Sequence, residues 1–343
     1  MTFRFCGRKN SSTFANLWYL IFTNNMKIVL LKINWLLLLS LSAVLGFSTT
    51  AQTPTPSPTL TPKPTITSTP SLNIITIPKT QNDSKFTSNS LFMNVLASRL
   101  AKGNLTIDQF CPQNNILTRR ILKDYGAVFV GNGQYSSPCY MRDENVVQNV
   151  QNQLGISATV LGGVRIELQP AAMEALLKAV EEAKNQGLNI TPRGGSTAAR
   201  RSFSTTIALW NSRVIPALRY WVGKGKITPE QAQIIPQMQI IDQVSLVLEF
   251  EEQGIYFSKD FSKSILYSVA APGTSQHNLM LALDVTQYSD SRVRQILANN
   301  GWFQTVASDL PHFTYLGVKE SELPSLGLQN VRVGNQNFWI PQI

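Results

Sequence analysis

The sequence predicts an α+β fold, with helices packed on an antiparallel sheet. Three observations carry that expectation. One segment has unmistakable helical periodicity, several short segments beyond it have strand character, and no internal repeat orders them into a solenoid or a regular βαβ array.

In chain order, "QPAAMEALLKAVEEAKNQG" (169–187) is the clearest helix. Pro170 suits its first turn, Met173, Leu176, Leu177 and Val180 recur at helical spacing, and Gly187 fits the stop. "LNITPRG" then reads as a strand, with Gly194 and Gly195 as the turn after it. Ser196 or Thr197 is expected to cap a second helix carrying Ala198, Arg201, Thr205, Leu209 and Trp210. "DQVSLVLEFEEQG" and "SDSRVRQILANNG" read as short helices. Residues 265–285, "WFQTV" and "HFTYLG" read as strands, the first broken at "APGTS".

The chain has 343 residues and a formal charge of +10. Five of its 30 basic residues (Arg4, Arg8, Lys9, Lys27 and Lys32) lie in residues 1–51, which contain no acidic residue. The remainder therefore carries 25 basic against 20 acidic side chains. No basic cluster alternates with aromatics, so nucleic acid is not an expected partner. A mildly basic surface favours an anionic polymer such as cell wall.

The leader accounts for the rest of the excess. From Met26, a possible true start, two lysines precede an apolar run from Trp35 to Phe47, and "TTAQ" offers small residues for cleavage. Residues 1–51 thus read as a leader with a secretory signal peptide. The run is short for a stable membrane span, so membrane contact is expected only if the leader stays uncleaved. Residues 52–72, with "TPTPSPTLTPKPTITSTPS", form a Pro/Thr/Ser-rich linker that cannot bury a core. Residues 73–165 are an N-terminal extension expected to pack on a domain of residues 166–343. The mature chain keeps Cys111 and Cys139, which in an oxidising compartment pair as a disulfide worth about 3 kcal/mol in the chain-entropy model. Two buried thiols are the alternative.

The chain has only two histidines, His277 in "APGTSQHNLMLALDV" and His312 in "SDLPHFTYLG". His277 and Asp284 flank a nearly apolar stretch, and an ionised Asp there is costly to bury without a partner. A metal supplies that partner. His277, Asp284 and His312 would give three protein ligands and leave a fourth position open, as catalytic zinc requires. Asp309, three residues before His312, is the expected general base. Separate structural roles for the two histidines are the simpler alternative.

"SQHNLMLALD" resembles the S-x-H-x-x-G-x-A-x-D motif of zinc D-Ala-D-Ala carboxypeptidases and dipeptidases of the VanY type. Ser275, His277, Ala282 and Asp284 fall on it. "DLPHF" resembles the family's E-x-W-H segment and "AARRSF" its Y-R-S segment, in the family's order over roughly residues 190–317. The resemblance implies the fold of hedgehog-type and lysostaphin-type peptidases, Zn2+ held by His277, Asp284 and His312, and cell-wall peptide as substrate. It places Arg201 on the family arginine, which can pair with a substrate carboxylate, although Arg200 beside it is not separated from it by sequence. Ser275 either hydrogen-bonds substrate or caps a turn. Met280 stands where the family has glycine, Asp309 where it has glutamate, and Pro311 where it has tryptophan. Met280 is therefore expected to lack glycine's backbone freedom and to need housing for a bulky side chain. The expected protein is an exported zinc peptidase acting on peptidoglycan stem peptides, specifically a D-alanyl-D-alanine carboxypeptidase. A non-catalytic, zinc-stabilised wall-binding module is the alternative.

Overall fold

The computed structural model describes residues 90–135 and 138–343, so the leader and linker expectations lie outside the described residues. Four helices come first. α1 (Leu91–Ala101) starts where the Ser90 side chain accepts from the Met93 amide, and buries Phe92, Met93, Leu96 and Leu100. α2 (Ile107–Phe110) opens with a reciprocal box between Thr106 and Gln109. α3 (Ile116–Tyr125) and α4 (Glu144–Leu154) are capped by Asn115 and Asp143. Cys111 and Cys139 form a disulfide, with Cα atoms 5.2 Å apart, tying the end of α2 to the chain just before α4.

A hairpin follows, β1 (Ser157–Leu161) and β2 (Val164–Leu168), turning through Gly162 and Gly163 at positive φ. α5 (Pro170–Asn185) has Pro170 at its start and buries Ala172, Met173, Leu176, Ala179 and Ala183. α6 (Phe203–Gly223), α7 (Pro229–Ile234) and α8 (Ile240–Glu252) come next. The central sheet is antiparallel and small, in the order β3 (Ala282–Asp284), β5 (His312–Tyr315), β4 (Trp302–Phe303), with α9 (Ser291–Asn299) between β3 and β4. A terminal hairpin pairs β6 (Leu328–Val333) with β7 (Gln336–Pro341). The described residues thus form a mixed structure of helices and antiparallel sheets, and they belong to one compact unit, Ile77–Ile343.

Three expectations need correction. Residues 188–194 form no strand beyond a single bridge between Pro192 and Val285. The second helix starts at Phe203, because the Ser202 side chain accepts from the Thr205 amide; Ala198 closes a short 3-10 turn (Gly195–Ala198) and Arg201 precedes the helix. Most of 265–285 is not strand. It is a 3-10 turn (Ile265–Tyr267) and a buried loop, reaching extended pairing only at Ala282–Asp284. Gly273, at φ +78°, lets the loop approach the Met141 backbone so closely that any Cβ would collide with the Met141 carbonyl.

Side-chain amides replace the missing ladder. Gln151 donates to the carbonyls of Arg201 and Asn278, Gln169 to those of Gln134 and Leu279, and Gln276 to that of Tyr125. All three glutamines are buried, and two of them pair the Asn278 and Leu279 carbonyls of the loop.

Candidate metal centre

Strand register brings two of the three expected ligands together. Asp284 on β3 lies directly opposite His312 on β5, so their side chains share one face of the antiparallel pair. His277 arrives from a tight turn. Met280 N–H donates to the His277 carbonyl and Leu281 N–H to the Gln276 carbonyl, the paired bonds of a Schellman turn whose left-handed residue is Met280, at φ +56°. The expectation for Met280 is corrected here. The side chain is fully buried and the backbone nonetheless adopts the conformation that favours glycine, at a cost of about 1–2 kcal/mol.

Three electron-rich atoms converge. His277 Nε2 is 3.2 Å from His312 Nδ1 and 3.4 Å from Asp284 Oδ1, and His312 Nδ1 is 3.3 Å from Asp284 Oδ1. The tautomers follow from the outer contacts. His277 Nδ1 lies 2.7 Å from the Ala199 carbonyl, which can only accept, so Nδ1 carries the hydrogen and Nε2 a lone pair. Gln276 donates its amide to the Tyr125 carbonyl, which fixes Oε1 as the acceptor 2.8 Å from His312 Nε2. His312 therefore presents the Nδ1 lone pair. Burial, with Arg201 and His312 adding to it, lowers the His277 pKa to about 4 against the pull of Asp284, so this imidazole is neutral near pH 7.

The residues fit a divalent metal. Asp284 Oδ1 is buried and accepts no hydrogen bond, and two lone pairs face it at van der Waals contact, an arrangement that repels itself unless a cation sits among the three atoms. A tetrahedral zinc with bonds of about 2.0–2.1 Å has ligand–ligand edges of roughly 3.3 Å, the size of this triangle. Each imidazole is oriented from behind by an acceptor, as ligating histidines are. Burial would push the Asp284 carboxyl up, but His277 and His312 hold it well below the usual carboxylate range, which they can do only with positive charge inside the triangle, on a ring or on a metal.

The other expected residues divide. Arg201, Ser275 and Asp309 line one cleft of about 180 Å³ together with His277 and His312. Burial raises the Asp309 pKa; His312 opposes this and the Asp284 charge reinforces it. Ser275 Oγ accepts from the His277 amide, a turn-capping contact, while the side chain also lines the cleft. Both side-chain contacts of Arg201 are internal, from Nε to the Thr197 carbonyl at 2.8 Å and from a terminal nitrogen to Asp284 Oδ2 at 2.6 Å. Arg200 turns away to Glu167 and Gln151, both at 2.7 Å. Sequence reasoning missed Gln276, the Ala199 carbonyl and Arg213 on α6. Gln276 adjoins His277 in the chain, but nothing in its spacing marks it as the orienter of His312.

No family model matches the chain, and no curated protein matches it. Among solved structures it is similar to the vancomycin resistance D,D-pentapeptidase VanY, a mutant from a VanB-type resistance cassette in complex with Zn(II). The match has 16% sequence identity, covers 49% of this chain and 82% of that chain, and has a TM-score of 0.28. At that level the likeness carries no argument about this chain, and the functional reading rests on the site itself. No helix among the described residues is long and apolar enough to cross a membrane.

Proposed function

We propose that the chain is an exported zinc peptidase that hydrolyses peptidoglycan stem peptides, specifically a D-alanyl-D-alanine carboxypeptidase. The observation that carries the reading is the triangle of two imidazole lone pairs and an orphaned carboxylate oxygen at the edge of a cleft. His277, Asp284 and His312 would hold zinc, which when bound supplies Lewis-acid polarisation of a peptide carbonyl and a water of lowered pKa. Asp309 serves as the base. Its burial-raised pKa makes it a better proton acceptor than an ordinary aspartate, and it passes the proton on to the leaving amine. Arg201 keeps Asp284 oriented through Oδ2 and leaves Oδ1 for the metal. The resemblance of "SQHNLMLALD" to a wall-peptidase motif supports the substrate class, and the Cys111–Cys139 disulfide supports an oxidising compartment.

The test is incubation of the zinc-loaded protein with purified wall peptides, followed by mass spectrometry. Loss of one C-terminal residue is expected. Asp309→Ala should slow that release by about a hundredfold or more while leaving zinc content unchanged. Undiminished turnover in Asp309→Ala would place the base elsewhere. The alternative, a zinc-stabilised module that binds wall without turnover, draws on the shorter reach of Asp309 and predicts retention on wall material with no product from any variant.

A further inference from the structure

We propose that Arg213 anchors a free carboxylate at the end of the peptide substrate, and so restricts the cleft to chain ends. The inference rests on the peptidase reading and adds to it a residue outside every motif that suggested that reading. Thr206, Leu209 and Arg213 are spaced three and four apart on α6, so they share one helical face, and that face forms a wall of the cleft containing His277, His312 and Asp309.

Two arginines line the cleft, and they differ in what they already hold. Arg201 is engaged by Asp284 and the Thr197 carbonyl. Arg213 donates only to the neighbouring Ser212 hydroxyl, at 2.9 Å, and its Nε is buried with no acceptor. Among the described residues it makes no ion pair. With one N–H of a terminal nitrogen used on Ser212, the other terminal N–H groups are left for an acceptor that a ligand brings.

The chemistry of that acceptor is narrow. A guanidinium presents parallel N–H groups that match a carboxylate in two-point contact, and the two terminal nitrogens of Arg213 are such a pair. Leu209, Leu266, Val269 and Val306 line the same cleft, so the contact would form beside apolar walls, where charge-assisted hydrogen bonds are stronger than in water. Those walls suit small apolar side chains such as alanine. A peptide whose last carboxylate sits on Arg213 must end inside the cleft, which makes the activity exopeptidic.

The test compares two N-acylated D-alanyl-D-alanine peptides, identical except that one ends in a carboxylate and the other in a carboxamide. For Arg213→Ala, KM for the acid should rise about 10- to 100-fold, the range of a lost charge-assisted hydrogen bond. Its kcat should stay within about twofold, and the carboxamide should be unaffected, because only uniform binding is removed. Arg213→Lys keeps the charge without the fork and should fall between; it also serves if Arg213→Ala fails to fold. Equal effects on both peptides, or none on either, overturn the proposal. If wild type turns over neither peptide, the peptidase reading fails, and calorimetric binding of the same pair then decides Arg213 alone. A preference for the acid that disappears in Arg213→Ala supports the anchor, and no preference in wild type removes it.

Discussion

Two buried carboxylates stand beside the same kind of turn, and they have opposite acid–base character. Glu251 lies near the C-terminal end of α8, just before a Schellman turn in which Gly254 N–H donates to the Glu251 carbonyl and Ile255 N–H to that of Phe250. Asp284 lies four residues after the matching turn at Met280. Each carboxylate has one buried oxygen without a hydrogen bond, Glu251 Oε2 and Asp284 Oδ1. Their surroundings differ. Burial raises the Glu251 pKa, and Ser264, the backbone amides of Ile265 and Phe257 that donate to Oε1, and the Arg120 charge do not offset it. Asp284 faces two imidazoles, takes a guanidinium on its other oxygen, and its pKa is lowered. An orphaned oxygen alone is therefore no mark of a metal site. An orphaned oxygen on a carboxylate kept ionised, with lone pairs aimed at it, is one.

The largest effect expected from that difference is on metal content. The double variant His277→Ala, His312→Ala removes two of the three candidate ligands and should reduce zinc from about one per chain to background by elemental analysis. Glu251→Gln should leave zinc untouched. Full zinc in the double variant would show that the triangle is not the site, and the contrast between the two carboxylates would collapse.

How much of this was legible in sequence follows the same physics. The candidate ligands were legible because the chemistry needs particular side chains, and a chain with two histidines offers few choices. Helices α5, α8 and α9 were legible because one buried face repeats every 3.6 residues. The loop from 268 to 281 reads as strand because short apolar runs, residues 269–271 and 279–283, stand at its two ends, and such runs look like buried strand when they carry no period. Two of its carbonyls are paired by glutamine side chains distant in sequence, Gln151 and Gln169, and no local pattern reports those partners. Arg213 was missed for the converse reason, since its importance lies in a partner that the fold does not provide.

A smaller effect separates the carboxylates by pH. Burial raises the Glu251 pKa in the folded state, so the folded chain holds this proton more tightly than the unfolded one. Its contribution is fully present below the ordinary glutamate value and is lost as pH rises through the raised folded value. Glu251→Gln fixes the group neutral. The variant should therefore gain stability relative to wild type as pH rises from acid to neutral. Denaturant titrations at several pH values check this, and an unchanged difference across that range would mean that Glu251 binds its proton equally well in the folded and unfolded states.

The smallest effect concerns the two turns. Gly254, at φ +80°, has open space where a methyl group would project, so Gly254→Ala should cost only the left-handed penalty, about 1 kcal/mol. At Met280 two terms compete. Truncation to Ala loses a fully buried side chain, about 2–5 kcal/mol, and keeps the strained φ. Truncation to Gly loses one methyl more but releases the strain of about 1–2 kcal/mol. Met280→Gly should therefore be no less stable than Met280→Ala, by up to about 1 kcal/mol in its favour, although glycine is ordinarily the worse choice. Both should still bind zinc, because the turn's hydrogen bonds to the Gln276 and His277 carbonyls come from the backbone. If Met280→Ala proved clearly more stable than Met280→Gly in denaturant, the turn would have relaxed out of the left-handed region. Tight zinc binding would then have to survive a displaced His277, which a triangle with edges of 3.2 to 3.4 Å leaves little room to allow.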